Sequence, residues 1–132
     1  MVAISFSVEG FVEKIRSGEK DQTIRPFNAR RYEQIKRSKK LQLYWKQRTK
    51  ECLKIADAEL VEIFKIRFKN LIEIWNEEKQ EWTQAKTKDI EEIIKRDGFE
   101  SGWELYSTLY SMYGEKMHDM EFMVIRFKLK EG

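Results

Sequence analysis

The segment Gly18-Glu19-Lys20-Asp21-Gln22-Thr23-Ile24-Arg25-Pro26 is where the local fold is easiest to predict and where polar groups are most concentrated. The residues before it, 9–17, place apolar side chains at helical spacing. Gly18 ends that helix, because glycine readily adopts the left-handed conformation of a helix C-terminus. The following residues alternate, so Thr23 and Arg25 share one face of a short strand, which the only proline terminates. The segment is therefore predicted to be a helix–turn–strand unit with Lys20 in the turn.

This unit also carries the groups that a ligand site needs. Lys20 offers a mobile charge and, when desolvated, a base. Thr23 has a hydroxyl that donates, accepts or attacks, and Arg25 has a planar fork suited to a phosphate or a base edge. Gly18 lets the backbone approach a ligand without a Cβ in the way. We predict a site at these four residues; the alternative is a charged turn whose cations pair with the neighbouring carboxylates.

Working outward from this unit, the alternation and the cap residues predict several strands with short helices between them. The predicted elements are a strand over 2–7, a helix over 29–37 capped by Asn28, a strand over 41–46, a long strand over 53–68 with a bulge near 56–58, a hairpin over 71–84, a helix over 87–95, a helix capped by Ser101 with Glu104, and a closing strand over 122–129. For 71–84 a continuous helix is the alternative. Because strands and helices hardly alternate, we predict an α+β fold built on a small β-barrel with short flanking helices. Residues 1–132 are predicted to form a single domain.

Composition excludes several classes of protein. The chain is 41% hydrophobic and 37% charged, which is typical of a globular protein, and no apolar run approaches the roughly 18 residues of a membrane span. The first residues lack a cationic leader with a long apolar stretch, so we expect a cytoplasmic protein without a membrane partner. One cysteine and one histidine cannot form a zinc cluster, so neither a metal nor a cofactor is predicted. Cys52 is expected to be a small buried or half-buried residue.

The net charge of +3 is unevenly distributed along the chain. Residues 1–50 carry 13 Lys and Arg against 5 Asp and Glu, a balance of +8, whereas residues 51–132 have a balance of −5. This asymmetry predicts an anionic partner for the first part, with nucleic acid as the first choice. A solvated surface of the thermophilic type, rich in Lys and Glu, is the alternative explanation.

A second group of residues mixes aromatic rings with cations. It occupies a predicted strand and the polar connection that follows: Tyr44, Trp45, Lys46, Arg48 and Lys50. Such a mixture suits base stacking combined with phosphate contacts. The preceding helix adds Arg30 and Arg31, which could follow a phosphate backbone. A core role for the aromatic residues and a merely solvated helix are the alternatives.

Further aromatic residues are expected to serve packing. Trp103, Tyr106, Tyr110 and Tyr113 have helical spacing and are interpreted mostly as core, with one ring reaching the cleft. The two tryptophans of the predicted hairpin are expected to face each other. His118 is expected in a solvated loop.

The segment 18–25 resembles the G-x-K-x-x-T-x-R signature of the ASCH domain family (activating signal cointegrator homology), part of the PUA-like superfamily. The stretch Asp97-Gly98-Phe99-x-Ser101, followed by an aromatic helix that ends at Tyr113, is also similar, as are the first strand and helix and the closing strand. The resemblance covers nearly the whole chain. It implies a PUA-like β-barrel, with a cleft lined by the motif, that binds RNA or a modified nucleoside or nucleotide. We expect a monomer.

The resemblance also implies an alternative function as an enzyme. Some ASCH proteins are amidohydrolases that remove the acetyl group of 4-acetylcytidine by means of the motif Lys and Thr and a downstream Glu. Lys20 and Thr23 match the first two positions, and Asp97 or Glu100 could supply the carboxylate. In that hypothesis neutral Lys20, its pKa lowered by burial and by Arg25, activates Thr23 for attack on an amide carbonyl. The carboxylate passes the proton to the leaving amine.

Overall fold

The computed structural model describes residues 1–130, which form twelve elements of secondary structure. In chain order these are β1 (Val2–Phe6), α1 (Phe11–Ser17), β2 (Gln22–Pro26), α2 (Ala29–Ser38), β3 (Lys40–Trp45), β4 (Leu53–Lys69), β5 (Leu71–Asn76), β6 (Glu81–Gln84), α3 (Thr87–Arg96), α4 (Gly102–Tyr113), a 3-10 helix (Gly114–Asp119) and β7 (Glu121–Leu129).

The strands within residues 1–130 form one mixed sheet that is organised by the long strand β4. The first part of β4 pairs with β3 and its last part with β5, while β7 pairs with β4 from Ala58 to Arg67. β1 is parallel to β3, β2 is antiparallel to β7, and β6 completes a hairpin with β5. The sheet curves into a half-barrel with short helices around it, and the predicted α+β architecture is confirmed.

β4 pairs with β3, β5 and β7, and its pairing register is interrupted twice along its length. Ile55 has no direct partner in β3, and opposite β7 the register shifts between Leu60 and Glu62. An unpaired residue increases the local twist and bends the strand. Residues 56–58, near which a bulge was predicted, pair regularly with β3, and the interruption closest to them is at the adjacent Ile55.

The core is centred on β7, which is buried without a break from Phe122 to Phe127. Burial on both faces explains why this run is almost continuously apolar instead of alternating. The ring of Phe122 packs edge-on against Phe68 and Tyr113, with centroids 5.4 and 5.5 Å apart. Tyr113 is thereby fixed at the end of α4.

The helix termini follow the sequence signals. Gly18 has φ 86°, the left-handed conformation expected after α1. The Asn28 side chain accepts a hydrogen bond from the Arg31 amide at 3.0 Å, and the Ser101 side chain accepts one from the Glu104 amide at 3.2 Å. None of the helices within residues 1–130 is long and apolar enough to cross a membrane.

The β5–β6 hairpin also agrees with the prediction. Trp75 and Trp82 are direct cross-strand partners whose ring centroids are 5.3 Å apart. The Lys65 ammonium lies 4.7 Å from the centroid of the Trp75 ring, so the tryptophan pair packs against the Lys65 side chain of the neighbouring strand β4. A packing role accounts for both rings.

The expectations for four residues were wrong. Trp103 and Tyr110 do not belong to the core, since 75% and 38% of their surfaces are exposed; Leu105 and Leu109 supply the buried face of α4 instead. Cys52 is exposed, because it lies in the turn before β4. His118 is half-buried in the 3-10 helix, where the Tyr106 hydroxyl lies 2.9 Å from its Nε2.

Candidate functional site

The half-barrel has an open seam between β1 and β2. In residues 1–130, β1 pairs with β3 alone and β2 with β7 alone, so one edge of each strand lacks a backbone partner. Two arginines satisfy carbonyl groups along the free edge of β1: Arg25 Nη2 donates to the Ser5 carbonyl at 2.7 Å, and Arg31 Nη2 donates to the Ala3 carbonyl. At this edge, arginine side chains thus supply the hydrogen-bond donors that a neighbouring strand would otherwise provide.

A pocket of about 70 Å³ opens at this seam. Its walls come from β1, α1, β2, the end of α3 and α4, and they combine aromatic and aliphatic side chains with a few polar groups. The polar groups of the predicted site that line it are Lys20, Thr23, Arg25 and Asp97. Phe6, Phe11, Phe99 and Leu109 form much of the apolar wall.

Lys20 is held in the pocket wall by the turn that follows α1. Its amide donates to the Lys14 carbonyl at 2.9 Å, and its side chain is only 1% exposed. Gly98 permits this close packing, because a Cβ at that position would lie 3.3 Å from the Lys20 Cβ and the Gly98 φ is +88°. The turn therefore places a lysine where solvent is excluded.

The Lys20 ammonium has both an acceptor set and an aromatic neighbour. Nζ donates to the Asp97 carbonyl at 2.8 Å, lies 3.3 Å from Asp97 Oδ2, and is 4.2 Å from the centroid of the Phe11 ring. Burial lowers the pKa of Lys20 below its usual value, Asp97 opposes that shift, and Arg25 and Lys14 add to it. Lys20 is therefore a cation whose deprotonation is made easier by its surroundings.

A buried amide orients Asp97 toward Lys20. Gln22 is fully buried, and its Nε2 donates to Asp97 Oδ1 at 3.1 Å and to the Ile93 carbonyl at 2.9 Å. Its Oε1 accepts from Arg126 Nε at 3.0 Å. Because both ends of the amide are engaged, Gln22 cannot turn over without losing these bonds. The carboxylate therefore keeps one oxygen for Lys20.

Replacing Gln22 with Leu should lower the free energy of unfolding by about 2–4 kcal/mol, because a buried carboxylate, a carbonyl and a guanidinium each lose a partner. Denaturant unfolding measures the change. Gln84→Leu, on the exposed strand β6, is the matched control and should cost under about 1 kcal/mol. Equal losses in the two variants would contradict the role assigned to the Gln22 amide.

Thr23 faces the pocket beside Arg25. Its side chain is 4% exposed, and its Oγ1 accepts a hydrogen bond from Arg25 Nε at 3.0 Å. In the described part of the chain Lys20 Nζ makes no hydrogen bond to Thr23 Oγ1; its bonds go to Asp97. The guanidinium of Arg25 also lies over the Phe6 ring, 4.9 Å from its centroid. Thr23 and Arg25 therefore form one polar wall of the pocket.

The other predicted residues lie outside the pocket. Glu100 is exposed and borders a separate surface groove with Lys14 and Glu19, so Asp97 is the one of the two proposed carboxylates that reaches Lys20. Gly18 shapes the turn without lining the pocket. Arg30 is exposed on α2.

The cationic connection after β3 begins next to the pocket. The Lys46 amide donates to the Phe6 carbonyl at 2.9 Å, and the Gln47 amide donates to Ser5 Oγ at 3.0 Å. Arg48 and Lys50 of the same connection are exposed. Of the predicted aromatics, half-buried Trp45 packs against the core, and its ring lies 5.3 Å from the Lys46 ammonium; Tyr44 is half-buried.

Sequence reasoning did not identify every residue of the site. Phe11, which lines the pocket, is predicted only as one of the apolar residues of the helix over 9–17. Gln22 and Arg126 lie outside the pocket lining and were not singled out, although Gln22 bonds to Asp97 and Arg126 bonds to Gln22. The available signal was a polar residue at a buried position of a predicted strand: Gln22 directly precedes Thr23, and Arg126 interrupts the apolar run of β7. No cluster of three His, Cys, Asp or Glu side chains suited to a metal occurs within residues 1–130.

Comparison with known proteins relates this chain to two solved structures. No protein-family model and no curated protein matches the sequence. The structure is similar to that of the hypothetical protein PH0355, with a TM-score of 0.58 and 15% identity over 98% of this chain and 100% of the other. It is also similar to the ASCH domain from Lactobacillus crispatus JV V101, with a TM-score of 0.50 and 15% identity over 97% of this chain and 78% of the other. The chain therefore has a fold similar to that of an ASCH domain.

Proposed function

We propose that this chain binds RNA or a modified nucleotide at the seam between β1 and β2. The observation that carries the proposal is that Lys20, Thr23, Arg25 and Asp97 line one pocket, while a cationic connection begins beside it. The ASCH-like fold supports the same class of ligand. A binding role requires no contact between Lys20 and Thr23.

The size of the pocket limits how much of a ligand enters it. Sites for whole small molecules usually measure roughly 300–1,000 Å³, whereas this pocket measures about 70 Å³. A base edge or a small substituent on a base fits such a volume, but a complete nucleoside does not. The aromatic walls would contact the planar group, and Thr23 with Arg25 would hydrogen-bond to its polar atoms.

The sugar and phosphates would then remain outside the pocket, next to the Lys46–Lys50 connection. Arg48 and Lys50 are exposed there and take part in no ion pair among the described residues. Lys46 is less available, because its ammonium lies 2.8 Å from Glu51 Oε2. Arg48 and Lys50 are therefore the residues that we assign to the phosphates.

Binding of a short single-stranded RNA should weaken steeply with salt, because each phosphate contact releases counterions. Replacing Arg48 and Lys50 with Ala should reduce the slope of log K against log salt by roughly 1.4, about 0.7 for each lost contact. Fluorescence anisotropy at several salt concentrations measures the slope. The control replaces Lys79 and Lys88, two exposed cations elsewhere, and should leave it unchanged. Equal slopes in all three proteins would refute the assignment.

A second candidate function is the hydrolysis of a small acylamide such as that of 4-acetylcytidine. The specific observation in its favour is that Lys20 is desolvated beside Asp97 in the pocket that Thr23 also lines. Thr23 Oγ1 would bond to the acyl carbon while neutral Lys20 takes the hydroxyl proton and passes it, with Asp97, to the departing amine. Water would then cleave the acyl ester and restore Thr23.

A further inference from the structure

Three aromatic side chains form a continuous row on the outside of α4. The ring centroids of Trp103 and Tyr106 are 6.3 Å apart, and those of Tyr106 and Tyr110 are 6.0 Å apart, with interplanar angles of 24° and 21°. Tyr106, in the middle, is fixed by His118, whose Nε2 lies 2.9 Å from the hydroxyl. The middle ring of the row is therefore held in place.

The row is exposed to a degree that packing does not explain. Trp103 is 75% exposed and Tyr110 is 38% exposed, while Leu105 and Leu109 provide the buried face of the same helix. Large aromatic residues that lie uncovered at a surface are typical of protein interfaces, where they contribute contact area.

An apolar cavity of about 200 Å³ adjoins the row. Tyr106 and His118 form one wall, and the rest of the lining includes Phe68, Leu71 and Leu105. Leu71 is itself 55% exposed. The row and the cavity, which we call the α4 aromatic face, form one contiguous apolar surface.

The segment that carries the α4 aromatic face is rich in carboxylates. Residues 100–121 contain five Asp or Glu residues and a single lysine, and two of the five, Asp119 and Glu121, pair with Lys69 and Lys65 of β4. Glu115 Oε1 accepts a hydrogen bond from the Tyr110 hydroxyl at 2.7 Å, and both residues are exposed. Glu115 forms no ion pair among the described residues, so the charge at this end of the row attracts cations and favours a basic partner over nucleic acid.

We propose that the α4 aromatic face binds an arginine-containing segment of a basic protein, with a guanidinium over the row beside Glu115 and a neighbouring apolar side chain in the cavity. Arginine suits the row better than lysine because its planar fork stacks on aromatic rings while it hydrogen-bonds to a carboxylate. The proposal does not depend on the nucleotide site, which α4 lines with other residues, among them Thr108 and Met112.

The test uses three capped octapeptides built from glycine, leucine and one kind of charged residue. The charged residue is arginine in the first peptide, lysine in the second and glutamate in the third. In titrations followed by nuclear magnetic resonance of the full chain, the arginine peptide should shift the Trp103 indole signal and bind most tightly. The lysine peptide should bind more weakly, and the glutamate peptide should not bind. Trp103→Ala and Tyr110→Leu should each weaken binding of the arginine peptide by roughly three- to tenfold.

Leu53→Ala, another exposed apolar residue, is the control and should bind like the original chain. Trp103 is exposed, so its replacement leaves the core intact, and circular dichroism verifies the fold. Three results would overturn the proposal: equal binding of the arginine and glutamate peptides, unchanged binding by Trp103→Ala, or a stronger shift of the Trp103 signal by single-stranded RNA than by the arginine peptide.

Discussion

Replacing Asp97 with Ala is expected to lower the free energy of unfolding by about 3–5 kcal/mol, the usual cost of removing one partner of a buried ion pair. The change leaves the Lys20 ammonium, which is 1% exposed, with the backbone carbonyl at position 97 as its remaining acceptor. It also removes an acceptor from Gln22 Nε2. Chemical denaturation near neutral pH measures the loss.

The same variant should show a distinct dependence on pH. The pKa of Lys20 is already lowered in the folded protein, and removing Asp97 removes the group that opposes this shift. A lysine with a lowered pKa binds fewer protons in the folded chain than in the unfolded chain, so stability rises with pH between the lowered pKa and the usual 10.5. Asp97→Ala should therefore gain stability more steeply than the original chain as the pH rises through that window.

Two further variants keep this prediction falsifiable. Lys20→Met combined with Asp97→Leu removes both charges and should be more stable than Asp97→Ala, because no unpaired charge stays buried. Asp119→Ala breaks an exposed pair with Lys69, at 3.7 Å, and should cost under about 1 kcal/mol. A loss for Asp97→Ala as small as that for Asp119→Ala would show that Lys20 is not held as a buried cation.

The parts of the fold that sequence reasoning predicted depend on neighbouring residues. Gly18 ends α1, Asn28 and Ser101 cap their helices, and the tryptophan pair forms across a short hairpin. Each of these features needs only a few residues and a local conformational preference. The turn that carries Lys20 was predictable for the same reason.

The contacts that complete the candidate site were not predictable in this way. Lys20 and Asp97 are 77 positions apart, and Gln22 and Arg126 are 104 apart, so the tertiary fold alone determines that they meet. Helical periodicity also failed to show which apolar side of α4 is buried. That helix has leucines on one side and an aromatic row on another, and the pattern does not distinguish them.

The seam between β1 and β2 changes the interpretation of two arginines. The sequence suggested Arg25 and Arg31 as phosphate or base ligands, but each donates to a carbonyl on the free edge of β1. Arg25 still lines the pocket, so it both bonds to the strand edge and faces the pocket. The carbonyl groups of a free strand edge need hydrogen-bond donors, and the topology of the sheet determines which edge is free. No local sequence pattern could therefore have revealed this role of the two arginines.

If the pocket catalyses hydrolysis, the original chain should release acetate from 4-acetylcytidine, and Thr23→Val should lower kcat/KM at least about 1,000-fold, because it removes the attacking hydroxyl at nearly constant shape. Lys20→Met should have an effect of similar size because it removes the base. The rate should rise with pH through the lowered pKa of Lys20, since neutral lysine is the active form, and should level off above it. Product analysis of the nucleoside and acetate measures each rate.

The control for this reaction is Thr83→Val, an exposed threonine on β6, which should retain full activity. The covalent step has its own signature: an acetyl group on Thr23 should accumulate during turnover and should be absent from Thr23→Val, as detected by mass spectrometry. Activity requires that Lys20 Nζ leave Asp97 and reach Thr23 Oγ1 when substrate binds, because Thr23 bonds to Arg25 in the structure. Nucleoside binding without acetate release at any pH would exclude the hydrolase and leave Lys20 and Thr23 as ligand-binding groups.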